Sequence, residues 1–179
     1  MKAIAFAVSA LLLSASATAD RSQGDSDRGA RGPQSVITVA VGGLNCATVA
    51  GAGTFDARSW SWGATNSGGS GSGSGSGAGK AVVSALSIKK GFDACSAALF
   101  AAVTTGRHFQ TLALTDRDSD GNVVATLTMT EVLVSSWSVG STTRDATPDE
   151  AVAFTFRKVC LAGSGSAQIC FDAATNTTT

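Results

Sequence analysis

Four cysteines, Cys46, Cys95, Cys160 and Cys170, are the residues of this chain best suited by type and number to do covalent chemistry. An even count in an exported chain predicts two disulfides. Three connectivities are open. Cys160 and Cys170 flank Gly163-Ser164-Gly165, which favours a cross-strand pair in a hairpin and leaves Cys46 with Cys95. No Cys-x-x-Cys or Cys/His spacing is present, so a zinc site is not indicated. Asp116, Asp118 and Asp120, followed by Gly121, match the opening of a calcium loop. The pattern needs a bidentate Glu at its twelfth position, which is Leu127, and helices on both sides, where strands are expected. A tight hairpin turn accounts for Asp120-Gly121 without metal. These three aspartates are the one cation candidate, and the sequence otherwise assigns no cofactor.

Other reactive residues lack partners. His108 is the sole histidine, and no G-x-S-x-G elbow is present, so triads and most catalytic zinc sites are missing parts. Glu131, Asp149 and Glu150 have the chemistry of a glycosidase acid pair, but sequence does not set their separation. Trp60, Trp62 and Trp137 fit either a sugar-binding platform or core and interface positions. Asn176-Thr177-Thr178 is a glycosylation sequon.

These residues must be positioned by strands. Residues 123–140 form the longest β-favouring stretch, with Val123, Ala125, Leu127 and Met129 alternating with threonines and a change of phase at Glu131, after which Val132 and Val134 are the apolar positions. Such a switch predicts a bulge or sharp bend where a sheet curls. Further strands are expected over Ser35–Leu44, Thr54–Thr65, Lys80–Gly91 (Val82, Leu86 and Ile88 facing in), Arg107–Thr115, Glu150–Leu161 (Val152, Phe154 and Phe156 inward) and Gln168–Ala173. One short helix follows Asp93, read as its N-cap, with Cys95, Leu99, Ala102 and Val103 at helical spacing and Gly106 closing it. The fold class is therefore mainly β: a curved two-sheet antiparallel β-barrel with one short α-helix.

The ends and the composition bear on location. Lys2, an apolar run over Ala3–Leu13 and Ala17-Thr18-Ala19 make a secretory signal peptide over residues 1–19, cleaved before Asp20. No lipid-anchor cysteine follows that site, so no membrane anchor is expected after cleavage. Residues 20–34 read as a disordered arm, residues 35–174 as the domain, residues 67–79 as a flexible Gly/Ser loop within it, and residues 175–179 as a frayed tail. With 13 basic and 13 acidic residues the chain is neutral, which argues against nucleic acid as a partner. Its charged fraction of 15% is low against about 25% in typical domains, a hint of surface hidden in an assembly.

Taken in order, Ser59-Trp60-Ser61-Trp62-Gly63, Leu86-Ser87-Ile88-Lys89-Lys90, Gly106-Arg107-His108, Leu112-Ala113-Leu114-Thr115, residues 130–138 and Val152–Val159 resemble the haemolysin-coregulated protein (Hcp) family, the tube subunit of type VI secretion. The resemblance covers residues 35–161. It implies a non-enzymatic subunit that pairs with itself into a hexameric ring, that stacks into a tube and that carries secreted cargo in the lumen. It places assembly contacts on Trp60, Trp62, Ser135, Ser136 and Trp137. The signal peptide and paired cysteines depart from a cytoplasmic tube and indicate a periplasmic or extracellular, Hcp-like variant. The rival readings are a secreted carbohydrate-binding module using surface Trp and a secreted hydrolase. Alkylation of the denatured, unreduced mature protein should modify no cysteine; four modified thiols would remove the disulfides.

Overall fold

The structure is a computed structural model that describes residues 35–66, 79–143 and 147–179. The expected signal peptide, the arm and nearly all of the Gly/Ser loop lie outside the described residues. The chain builds β1 (Val36–Val41), β2 (Ala47–Thr48), β3 (Gly51–Ala52), β4 (Thr54–Ala57), β5 (Ser59–Ser61), β6 (Ala64–Asn66), β7 (Ala81–Val83) and β8 (Leu86–Gly91). Helix α1 (Ser96–Thr105) comes next, then β9 (His108–Arg117), β10 (Val123–Gly140), β11 (Asp149–Thr155), β12 (Lys158–Gly163), β13 (Ile169–Asp172) and β14 (Thr177–Thr178). All pairings are antiparallel, and ten strands join one sheet.

β10 is the spine of that sheet. Its first half lies between β9 and β12, with Leu127 opposite Leu114 on one side and Leu161 on the other. Its second half pairs with β11, with Trp137 opposite Val152. The change of phase expected at Glu131 is present as a bend: Glu131 has φ 53, in the left-handed region that a side chain disfavours by about 1 kcal/mol. The neighbours bend at the same level. On β9 the inward residues pass from Leu112 to Phe109, and β11 and β12 part at Phe156-Arg157. Arg157 Nη1 meets Glu131 Oε1 at 3.1 Å across this line, although both are about half exposed and the pair adds little. A register slip at Ser135 then changes the phase of β10 again.

The bend divides one sheet into two faces around a core. β4, β1, β9 and the first half of β10 continue into β12, β13 and β14; the second half of β10 continues through β11 and β8 to β5. β4 and β5 are separated only by Arg58, yet pair with β1 and β8. The sheet therefore curls until one bent segment reaches both of its ends. Val39, Phe55, Leu86, Ile88, Leu112, Leu114, Leu127, Met129 and Phe154 fill the interior, and α1 contributes Leu99 and Ala102. Gly106 ends the helix at φ 62, where a left-handed residue turns the chain into β9.

Several expected elements differ in detail. Thr54–Thr65 is three short strands, and Lys80–Gly91 is two, because β6 and β7 pair with each other apart from the main sheet. Val82 on β7 is therefore exposed rather than inward. Phe156 sits at the break between β11 and β12, half-buried, its ring 6.3 Å from that of Trp62. Asp93 does not cap α1: Oδ1 accepts from the Cys95 N–H at 2.8 Å, one turn before the helix, and Cys95 holds the N-cap position. The tail expected to fray is paired, since β14 lies on β13 and Cys170 and Thr179 exchange N–H···O bonds of 2.8 and 2.9 Å. Asp172 makes that turn. Its carboxylate accepts from Ala174 and Thr175, and the Thr175 N–H above all holds its pKa below the usual carboxylate value.

Replacing Glu131 with glycine should leave urea stability unchanged or raise it by up to about 1 kcal/mol, because the bend no longer strains a side chain. A β-branched Glu131→Val should lower it. Equal losses from both would show that the bend is not set at this residue.

Candidate assembly edges

Beneath α1 two charged side chains are fully buried. Lys90 on β8 and Glu150 on β11 stand opposite each other in the ladder and meet at 3.0 Å. Lys90 Nζ also donates to Ser96 Oγ at 3.2 Å and the Gly91 carbonyl at 2.9 Å, and lies 2.8 Å from Asp93 Oδ1. Glu150 accepts from the Ser96 hydroxyl and from Trp137 Nε1. The Phe55 ring faces the ammonium at 5.3 Å. Every polar atom of the pair is thus engaged, which is what makes a buried ion pair tolerable. Cys95, next to Ser96, is bonded to Cys46, so the start of the helix is tied covalently as well. The second disulfide joins Cys160 to Cys170, directly opposite on β12 and β13.

The sequence singled out the three tryptophans, and all are engaged within the chain. Trp60 Nε1 donates to Asp116 Oδ2 at 2.9 Å, Trp62 is half-buried against Phe156, and Trp137 lies between Glu150 and Phe100, whose ring centroid is 5.2 Å away. All three are half-buried. The aspartates of the cation candidate diverge: Asp116 serves Trp60, and Asp118 accepts from the N–H groups of Asp120 and Asn122 at 2.9 Å each, closing its own turn. Hydrogen bonds from Asn122 lower the Asp118 pKa. No cluster of three or more metal-ligating side chains occurs among the described residues. The carboxylates of the acid-pair reading are likewise apart and each faces a cation: Glu131 with Arg157, Asp149 with Arg58 and Glu150 with Lys90.

What remains open is backbone. β9 runs out opposite Leu133, so beyond that point β10 has β11 on one flank and, among the described residues, no strand on the other. β5, at the far side of the same sub-sheet, pairs among the described residues only with β8. The four strands from β10 to β5 therefore end in two free edges, and they carry the residues assigned to assembly: Ser135, Ser136 and Trp137 on one, Trp60 on the other with Trp62 just past it. Ser135 Oγ is used internally, on the Ala153 carbonyl at 3.1 Å. The outer face between the edges carries small side chains and one lysine, with Ser61, Ser87, Ala153 and Ser136 in one row and Ser59, Lys89, Ala151 and Ser138 in the next. A hollow of about 470 Å³ lies over it. Sequence reading did not find the buried pair. The signal was there, since Lys90 is in phase with Leu86 and Ile88, and Glu150 with Val152 and Phe154.

These features define a disulfide-stapled, curled antiparallel β domain whose distinguishing surface is a pair of unpaired strand edges. The family model for "Type VI secretion system effector, Hcp" matches residues 41–162, so the chain belongs to the Hcp family of type VI secretion proteins. Solved structures similar to it include a type six secretion system protein, at 23% identity and a TM-score of 0.73 over 80% of this chain and 99% of that one. Hcp1 from Salmonella typhimurium is similar at 20% identity and 0.68, over 82% and 99%. The secreted protein Hcp3 from Pseudomonas aeruginosa is similar at 15% and 0.57, over 77% and 96%. At such identities the likeness is one of fold. No curated protein matches the chain.

Removing one member of the buried pair should be costly, about 3–5 kcal/mol for Lys90→Met or Glu150→Leu, whereas the double variant should recover much of that loss. Urea unfolding of the three proteins gives the comparison. Additive losses would mean that the two charges do not depend on each other.

Proposed function

We propose that this chain is an exported, non-enzymatic Hcp-family subunit that joins copies of itself head to tail into a ring. The observation that carries this reading is the pair of free edges bounding a four-stranded unit. Along β10, β11, β8 and β5 the strand direction alternates, so the two edges run in opposite senses. When a copy is rotated about an axis along the strands, its β5 meets the neighbour's β10 antiparallel, and the meander continues unbroken. An odd number of strands would force a parallel junction. Head-to-tail contacts of this kind close into rings when the rotation permits, and the hexamer implied by the family resemblance is the size expected. Free edges are otherwise an aggregation hazard, and β5 and the second half of β10 carry no charged residue to block pairing.

The two disulfides and the signal sequence support assembly in the periplasm or outside the cell, after cleavage, with secreted cargo as the partner that the family implies. No helix among the described residues is long and apolar enough to cross a membrane. The glycan-binding reading is the less favoured, because Trp60, Trp62 and Trp137 are spent on contacts within the chain.

Ser59 and Ser138 are exposed on the two edge strands and lie in the same cross-strand row, so they come near each other across the junction. Sedimentation velocity should show a ring for the mature oxidised protein. Ser59→Asp with Ser138→Asp should shift it to monomer, since like charges facing across a ladder repel, and Ser59→Lys with Ser138→Asp should restore the ring. A protein that is monomeric at every concentration would end the proposal.

A further inference from the structure

The outer face of the four-stranded unit bears a charge that neither the core nor the edges use. Its two cross-strand rows hold five serines, two alanines and one cation, Lys89. Lys89 is exposed and has no ion-pair partner among the described residues, in contrast to Lys90 beside it, which is buried on Glu150. A second hollow, of about 240 Å³, continues the first past Lys89 to Arg58 and Asp149, which pair with each other. Two cations against one carboxylate leave one net positive charge on a floor of hydroxyls and methyls.

Ring closure decides where this face points. The other face of the unit is covered by α1 and the rest of the sheet, whose bulk fits only on the outside of a closed ring. The Ser/Ala face then lines the opening, and each copy contributes one Lys89 at the same height. We infer that this wall is a binding surface for acidic, extended polypeptide, an inference that rests on the ring reading and names the class of cargo it would take. The chemistry is legible in the side chains. Serine and alanine let an extended backbone lie close, and serine hydroxyls both donate to and accept from its peptide groups. The two rows themselves carry no large apolar side chain to hold the exposed core of an unfolded protein. A circle of ammonium groups adds attraction for carboxylates, focused inside an enclosed channel. Nucleic acid fits poorly, since Trp60 and Trp137 are half-buried and hydrogen-bonded within the chain rather than standing free as stacking platforms.

The test uses the full mature, oxidised protein, with its assembly first established by sedimentation. Fluorescence anisotropy of labelled peptides of equal length, one Glu-rich, one Lys-rich and one of Gly and Ser only, is then measured on the ring. The Glu-rich peptide should bind tightest, and added salt should weaken it. Lys89→Ala should weaken it by about fivefold or more, as expected for an exposed ion pair repeated around the ring. Lys89→Glu should turn the preference to the Lys-rich peptide, and Ser87→Phe, which fills the floor, should weaken all binding. Lys80→Ala, which removes an exposed cation from outside the wall, should change nothing. Rings that bind the three peptides alike, or whose preference survives Lys89→Glu, would overturn the inference and leave the ring reading standing. Monomer alone in sedimentation would overturn both.

Discussion

The contact on which the rest of the structure depends is the buried pair Lys90–Glu150. It fixes the register of β8 on β11, because a slip of β8 by one residue would turn Lys90 outward with Leu86 and Ile88 and leave Glu150 buried without its partner. It also holds the helix, since Ser96 at the start of α1 reaches both members of the pair. Through Trp137 it holds the second half of β10. A single ion pair thus ties three strands and the helix at one end of the domain. Apolar residues of the same volume could fill the space, but they would not demand one register, and that specificity is what a buried polar node contributes.

The other end is governed by the bend at Glu131. A strand of eighteen residues cannot wrap a core without changing face, and at this level β9 changes face as well and β11 gives way to β12. The bend sends half of β10 to one side of the core and half to the other. β9 follows the bend as far as Leu133, where it starts at His108 after Gly106 has closed α1, and the rest of β10 is left with a free flank. The edge is not a defect of folding but the remainder left when a sheet of unequal strands is curled around a small core.

Much of this was legible in residue order. Alternation in residues 123–134 gave the strand and its change of face, because period-2 patterning on a half-buried strand reports directly which side is wet. Gly163-Ser164-Gly165 between Cys160 and Cys170 gave the hairpin and its staple. The helix and its closing Gly106 were likewise visible. What failed did so for physical reasons. Breaks at Arg58 and Gly63 carry no distinctive side chain, and they arise from which partner strand is within reach, a tertiary fact. The tail was misjudged because its pairing depends on the Asp172 turn and on a strand partner already in place. Which strands are left as edges, and that these run in opposite directions, follows only from counting ladders.

One feature of the covalent framework bears on how the protein would respond to proteolysis. The Cys46–Cys95 bond spans a sequence separation of 49 residues, and the Gly/Ser run lies wholly inside that span. A protease that cuts anywhere within that span would not separate the two pieces. They would stay joined through the helix start and its anchoring loop. Gel analysis without reductant would show an intact molecule that had in fact been nicked.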